Sequence, residues 1–223
     1  MRFCESAGVR RRLLRATMWV VAFAVGATAA AQASAATLAV TKPCYVSANA
    51  GSGAPIVIVG SGFTPGDTIE IEGTDVFASG TASPAGQIMI ATGGPILSTP
   101  RPGVQSFRLT AKDAAGVLAT TTVTMANFSV DTTPSVAKPT SKVTWHFSGF
   151  TPGKTVWVHY VRKAPIAEMS FGRAKAPCGT LTAKRTFYPG GHPQFSKYTV
   201  VFDQVKRYTK RARPRIVTTL SFF

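Results

Sequence analysis

From residue 37 onward, apolar and polar residues alternate in short runs broken by glycine, proline, serine and aspartate. Ser106-Phe107-Arg108-Leu109-Thr110 shows the period cleanly. Alternation of this kind places one face of a strand in a core and the other toward solvent. In the first half of the chain it predicts strands over 38–46, 55–60, 68–73, 87–92, 105–112 and 118–125. Ser83-Pro84-Ala85-Gly86 and Asp113-Ala114-Ala115-Gly116 supply hairpin-type turns. In the second half, Val143, Trp145 and Phe147 share one strand face, Val156, Val158 and Tyr160 share the next, and a last strand covers 216–223. No stretch after residue 36 sustains a helical period, so the fold class is all-β.

Ser61-Gly62-Phe63-Thr64-Pro65-Gly66 returns 87 residues later as Ser148-Gly149-Phe150-Thr151-Pro152-Gly153. Asp67-Thr68-Ile69-Glu70-Ile71 then matches Lys154-Thr155-Val156-Trp157-Val158. One strand enters a Pro-Gly turn and another leaves it, at the same place in two units of β-sandwich size. Phe63 and Phe150 are expected to plug the sandwich ends. The expected domains are 37–126 and 127–223, preceded by an export signal over 1–36. The boundary is placed where alternation ending in Val123 and Met125 changes register to Phe128 and Val130.

The export signal rests on five arginines before residue 16, an apolar run over 16–31, and the small-x-small sites Ala31-Gln32-Ala33 and Ala33-Ser34-Ala35. Sixteen apolar residues fall short of the ~20 that a spanning helix needs, so cleavage near Ala35 is expected over an uncleaved anchor. Arg10-Arg11-Arg12 loosely fits a twin-arginine signal, with the general secretion route preferred. No transmembrane span is expected after cleavage. Cys44 and Cys178 then remain, one in each unit. In an oxidising compartment such a pair bonds as a rule, which here ties the units together. Two free thiols or an intermolecular bond are the alternatives.

Charge separates the halves. The net +16 of the chain resolves into −1 over 37–126 and +13 over 127–223. The candidate binding residues are Arg162, Lys163, Lys184, Arg185, Lys206, Arg207, Lys210, Arg211 and Arg213. The last five lie in the loop before the final strand, expected to face one end of the sandwich. Such a field attracts polyanions and weakens with salt. Outside a cell these are anionic wall polymers, lipid surfaces and extracellular nucleic acid. Nucleic acid is the least favoured, because export removes the usual substrates and Phe202 reads as core. A cationic surface serving only solubility is the competing reading.

No catalytic spacing stands. The chain has no His-Glu-x-x-His, no Gly-x-Ser-x-Gly, no phosphate-binding loop and no Cys-x-x-Cys. No catalytic residue, metal site or cofactor is assigned. His146 and His159 fall opposite the predicted core, on strands expected in different sheets, and read as surface residues that share no metal. A Cys178–His159 thiolate-imidazole pair is the enzymatic alternative, and it requires a free Cys178. Phe222-Phe223 ends the chain as in outer-membrane barrels, but the strands are too short and too rich in turns for one.

The repeated Ser-Gly-Phe-Thr-Pro-Gly-x-Thr resembles a corner of bacterial extracellular immunoglobulin-like domains. With Val156–Arg162, Pro177-Cys178-Gly179-Thr180-Leu181 and Tyr198-Thr199-Val200-Val201-Phe202-Asp203-Gln204, the chain is similar to secreted two-domain actinobacterial proteins of unassigned function. The resemblance implies two tandem immunoglobulin-like β-sandwiches and no established activity. The expected function is an exported, non-catalytic cell-envelope module whose cationic second domain contacts anionic polymers or partners. The alternative is a purely structural or protein-interaction module.

Overall fold

The computed structural model describes residues 35–48, 53–98, 101–116, 118–191, 193 and 196–222. The expected export signal, but for residues 35 and 36, lies outside the described residues, as does His192. Alternation yields β1 (Thr37–Val40), β2 (Tyr45–Ser47), β3 (Pro55–Ser61), β4 (Thr68–Gly73), β5 (Val76–Thr81), β6 (Ile88–Gly93), β7 (Val104–Lys112) and β8 (Leu118–Asn127). It continues as β9 (Ser129–Thr133), β10 (Lys142–Ser148), β11 (Thr155–Val161), β12 (Pro165–Arg173), β13 (Leu181–Thr186), β14 (Ser196–Asp203) and β15 (Ile216–Phe222). No helix among the described residues is long and apolar enough to cross a membrane.

The strands form four sheets, ordered β1-β3-β6, β2-β8-β7-β4-β5, β13-β10-β9 and β12-β11-β14-β15. The first two enclose a core that includes Ile56, Ile58, Ile69, Ile71, Leu109 and Val123. The other two enclose an aromatic core around Trp145, Phe147, Phe171, Tyr160 and Phe202. The fold is therefore all-β and sandwich-like. Val143, Trp145 and Phe147 point inward from β10, and Val156, Val158 and Tyr160 from β11, as their spacing requires. Phe147 and Phe171 approach to 4.7 Å between centroids in a tilted pair, a geometry that adds to what burial contributes.

Two strands differ from expectation. The run 38–46 is two strands in different sheets: β1 pairs antiparallel with β3, and β2 pairs parallel with β8. Thr41 makes a last backbone bond to Val57 (3.1 Å), and Pro43 then has no N–H to extend the ladder. The chain crosses between sheets there. β5 went unread because Ala78, Ser79 and Gly80 carry little apolar signal. It closes a hairpin on β4 and lies at a sheet edge, where such residues are tolerated.

The repeated turn is built from the same bonds twice. Phe63 N–H donates to Gly86 O (3.2 Å), and Phe150 N–H to Gly179 O (3.3 Å). Gly66 N–H donates to Ala82 O (3.0 Å), and Gly153 N–H to Ala174 O (2.8 Å). A side chain from beyond a later strand clamps each threonine: Asp113 Oδ2 accepts from Thr64 N (3.1 Å) and Gln204 Oε1 from Thr151 N (3.0 Å). Phe63 and Phe150 are both buried. The sequence repeat is thus a closed corner that seats an aromatic ring in each core.

The two sheet pairs meet at β8 and β9. Cys44 and Cys178 form a disulfide, with Cα atoms 5.3 Å apart. Beside it Gly149 N–H donates to Cys178 O (2.9 Å) and Phe128 N–H to Ser47 O (2.9 Å). Ser148 Oγ donates to Asn127 O and accepts from Gly103 N (3.3 Å). The Ser148 hydroxyl and the Phe128 and Gly149 amides at this junction are therefore partnered, as their desolvation demands.

Candidate functional site

Residues 127–223 contain three side-chain carboxylates, Asp131, Glu168 and Asp203. Asp131 lies 3.8 Å from Arg101 Nε, which belongs to the first half of the chain. Glu168 and Asp203 both face His159. Among the described residues no carboxylate pairs with Lys206, Arg207, Lys210, Arg211 or Arg213. The charge of these five side chains is left to solvent and to whatever binds.

The structure places the candidate cations in three groups. Lys206, Arg207, Lys210, Arg211 and Arg213 are brought together on the segment 204–215 and all are exposed. Arg162 and Lys163 sit in the turn after β11, with the Arg162 guanidinium 5.9 Å from the Tyr198 ring centroid. Register puts that turn beyond Val161, which faces Thr199, whereas the segment starts beside Asp203, which faces Trp157. Four residues of strand, about 13 Å, separate the two. Lys184 and Arg185 lie on β13 in the three-stranded sheet, opposite Thr144 and Val143.

Segment 204–215 does not simply face one end of the sandwich. It begins pinned to the repeated corner: Gln204 Nε2 donates to Thr151 O (2.8 Å) and to Lys154 O (3.4 Å). It then turns over the outer face of the four-stranded sheet. Val205 N–H donates to Asp203 Oδ1 (3.0 Å), and Val205 O lies 3.2 Å from His159 Nε2. The Tyr208 ring sits 5.8 Å from the His159 ring, and Ala212 is buried. Arg213 and Arg215 fold back to cap Lys210 O, at 3.5 and 2.6 Å, which stiffens the far side of the loop.

His159 is a correction to the sequence reading. Its position between Val158 and Tyr160 does direct it away from the core, but it is fully buried there, not a surface residue. The segment covers it. Its Nε2 lies 3.2 Å from Asp203 Oδ1, and its Nδ1 lies 3.6 Å from Glu168 Oε2, which register places opposite it on β12. Asp203 is itself fully buried. The sequence held a signal for this cover. β11 reads Val-Trp-Val-His-Tyr-Val and β14 holds Val-Val-Phe, runs apolar on both faces, as in strands covered on both sides.

His146 is on β10, in a different sheet from His159, with Nε2 3.3 Å from Thr133 Oγ1. No group of three or more metal-ligating side chains occurs among the described residues. The sulfur that a Cys178–His159 pair would use is bonded to Cys44.

No family model and no curated protein matches the chain. Among solved structures, the chain is similar to a tetra-tandem repeat in the extending region of a large adhesion protein, at 16% identity and a TM-score of 0.29. That alignment covers 85% of this chain and 49% of the other. A Ca2+-stabilised adhesin with which an Antarctic bacterium binds ice aligns at 14% identity and TM-score 0.32, over 84% of this chain and 47% of that one. The C-terminal domain of the Streptococcus agalactiae AgI/II polypeptide BspA aligns at 10% identity and TM-score 0.29, over 83% and 97%. The chain spans about half the length of the first two. Likenesses of this size carry no ligand or activity to this protein, and the resemblance to actinobacterial exported proteins stands on the sequence alone.

Proposed function

We propose that residues 37–126 and 127–223 are tandem immunoglobulin-like domains of an exported, non-catalytic envelope protein. In this reading segment 204–215 of the second domain contacts anionic wall polymer or lipid headgroups. The observation that carries it is the allocation of charge. The three carboxylates of the basic half are held by Arg101 and His159, while five cations stand exposed on a backbone already tied down by Gln204 and Val205. A loop ordered before binding loses less entropy on contact. The disulfide between Cys44 and Cys178 supports an oxidising compartment. Arg162–Lys163 and Lys184–Arg185 widen the field without joining the segment.

Each cation near an anionic surface contributes ~1 kcal/mol. Five give about 5 kcal/mol, a Kd on the order of 0.1 mM at low salt, so retention depends on many molecules meeting a dense surface. The test is co-sedimentation with isolated wall and with anionic vesicles across a salt series. Wild type is expected to be retained at low salt and released at high salt. The variant Lys206→Gln/Arg207→Gln/Lys210→Gln/Arg211→Gln is expected to lose retention. Binding indifferent to salt, or unchanged in the variant, overturns the reading. Absence of polyanion binding together with a specific protein partner would establish the interaction module instead.

A further inference from the structure

The two halves build the same sandwich from equivalent strands, with one exception. β9, β10 and β13 repeat the arrangement of β1, β3 and β6, and β12-β11-β14-β15 repeats β5-β4-β7-β8. In the first half the chain leaves β1, changes sheet and continues as β2, which pairs parallel with the last strand, β8. β2 sets Tyr45 into the core, where its hydroxyl donates to Val57 O (3.2 Å). The second half has no counterpart of β2: among the described residues, β15 ends its sheet. The connection from β9 to β10 is too short to supply one. It spans residues 134–141, eight residues against fourteen over 41–54. Its end is also tied down, because Tyr188 N–H donates to Pro139 O and Phe187 N–H to Ser141 O, both at 2.9 Å.

The edge left open carries none of the usual defences. β13 bears Lys184 and Arg185, β12 starts at Pro165 and is bulged against β11, and β9 stops at Pro134. β15 runs Ile-Val-Thr-Thr-Leu-Ser-Phe, uncharged and without proline, and such an edge is a template for a further strand. Between it and β9 lies a cavity of about 170 Å3, whose lining includes Val130, Thr132, Trp145, Phe202, Thr218 and Leu220. A volume of ~150 Å3 admits one benzene-sized ring. Trp145 is buried, and its indole Nε1 has no hydrogen-bond partner among the described residues, so the desolvation of this donor is uncompensated.

We propose that β15 is the docking edge for an extended segment of a partner protein, which adds as a fifth strand and completes the second sandwich. Main-chain pairing along β15 supplies the attachment, and one inward side chain fills the cavity. That side chain is a ring bearing an acceptor, tyrosine above all, because it fills a ring-sized space and accepts from Trp145 Nε1. A second copy of this chain is a poor source. Its own β2 is held beside the Cys44–Cys178 disulfide, and two halves of +13 repel each other. The same charge favours a segment with acidic flanks. The docking edge does not depend on segment 204–215 and stands whether or not that segment binds polyanions.

The probe is a peptide of residues 43–49 with Cys44→Ser and two aspartates added at each end. Its binding to the full chain is followed by NMR through the Trp145 indole N–H, assigned by its loss in Trp145→Phe, and through hydrogen exchange of the β15 amides. The indole resonance is expected to move saturably, and alternate β15 amides to exchange about ten-fold more slowly. A Tyr45→Phe peptide keeps the ring and loses the acceptor. It is expected to bind wild type about ten-fold more weakly, while Trp145→Phe binds the two peptides alike. Thr218→Phe, at an exposed residue of the cavity lining, is expected to fold normally and to exclude the peptide. An indole resonance unmoved at millimolar peptide, unaltered β15 exchange, equal affinity of wild type for both peptides, or full binding by Thr218→Phe overturns the docking edge. Self-association of the protein alone that moves the same resonance puts a second copy on β15 and overturns the partner.

Discussion

The glycines of the repeated corner allow a matched set of substitutions in which space and backbone strain separate. Gly66 and Gly153 have φ of 81° and 79°, and a Cβ added to either would meet nothing within 4 Å. Gly86 and Gly179 have φ of 68° and 64°, but a Cβ there would lie 2.4 Å from Phe63 O and 1.5 Å from Phe150 O. Alanine at Gly66 or Gly153 therefore suffers only the left-handed backbone, ~1–2 kcal/mol, partly offset by a less flexible unfolded chain. A net loss of about 1 kcal/mol is expected. Alanine at Gly179 adds a collision with a carbonyl that cannot rotate away. The turn must shift by an ångström or more, which breaks the Phe150–Gly179 bond and strains the neighbouring Gly149–Cys178 bond, about 1 kcal/mol each. It also unseats Phe150 from the aromatic core, so the total is expected to reach about 4 kcal/mol or more. Gly86→Ala should follow Gly179→Ala at smaller amplitude. Urea denaturation of the four variants reads the difference. If Gly179→Ala is as stable as Gly153→Ala to within about 0.5 kcal/mol, the corner does not seat the phenylalanine as argued.

Two further consequences concern the cross-link and alkaline pH. The disulfide closes a sequence separation of 134 residues, for which loop entropy gives about 5 kcal/mol. At a urea slope of ~2 kcal/mol/M, reduction should lower the midpoint by about 2.5 M, and a shift under about 0.5 M would refute the entropy argument. Burial, with Tyr188 beside it, pushes the Tyr160 phenol well above its ordinary value, and its hydroxyl donates to Phe187 O. A raised folded value means that this phenol's stabilisation is complete below the unfolded value, ~10, and declines as pH rises beyond it. Tyr160→Phe should therefore be less stable than wild type at neutral pH, by about 1 kcal/mol, and gain on it above pH ~10. A constant difference across that range would show that Tyr160 does not ionise on unfolding.

What the sequence conveys well is what depends on neighbours along the chain. Alternation marks the inward faces of β10 and β11, and the repeated corner names both buried phenylalanines before any contact is known. β5 and the break at Pro43 are harder, because each is decided by the neighbouring strand: a hairpin partner on β4 in one case, a change of sheet in the other. The cover over His159 is harder again. Period two assigns a residue to a face and leaves open whether that face is wet. The decision lies with segment 204–215, a basic stretch whose composition suggests solvent but whose Gln204 side chain is bonded to the Thr151 carbonyl and whose Val205 carbonyl meets His159 on the sheet. The clues were distributed: Val161 and Val201 on a nominally outer face, and an acidic residue directly before the loop in a half with three carboxylates. A carboxylate is costly to bury without a partner, and Asp203 is buried against His159. The scarcity of acid in the basic half therefore shapes two things at once. It leaves the exposed cations of segment 204–215 without a carboxylate partner, and it commits Glu168 and Asp203 to one buried ring.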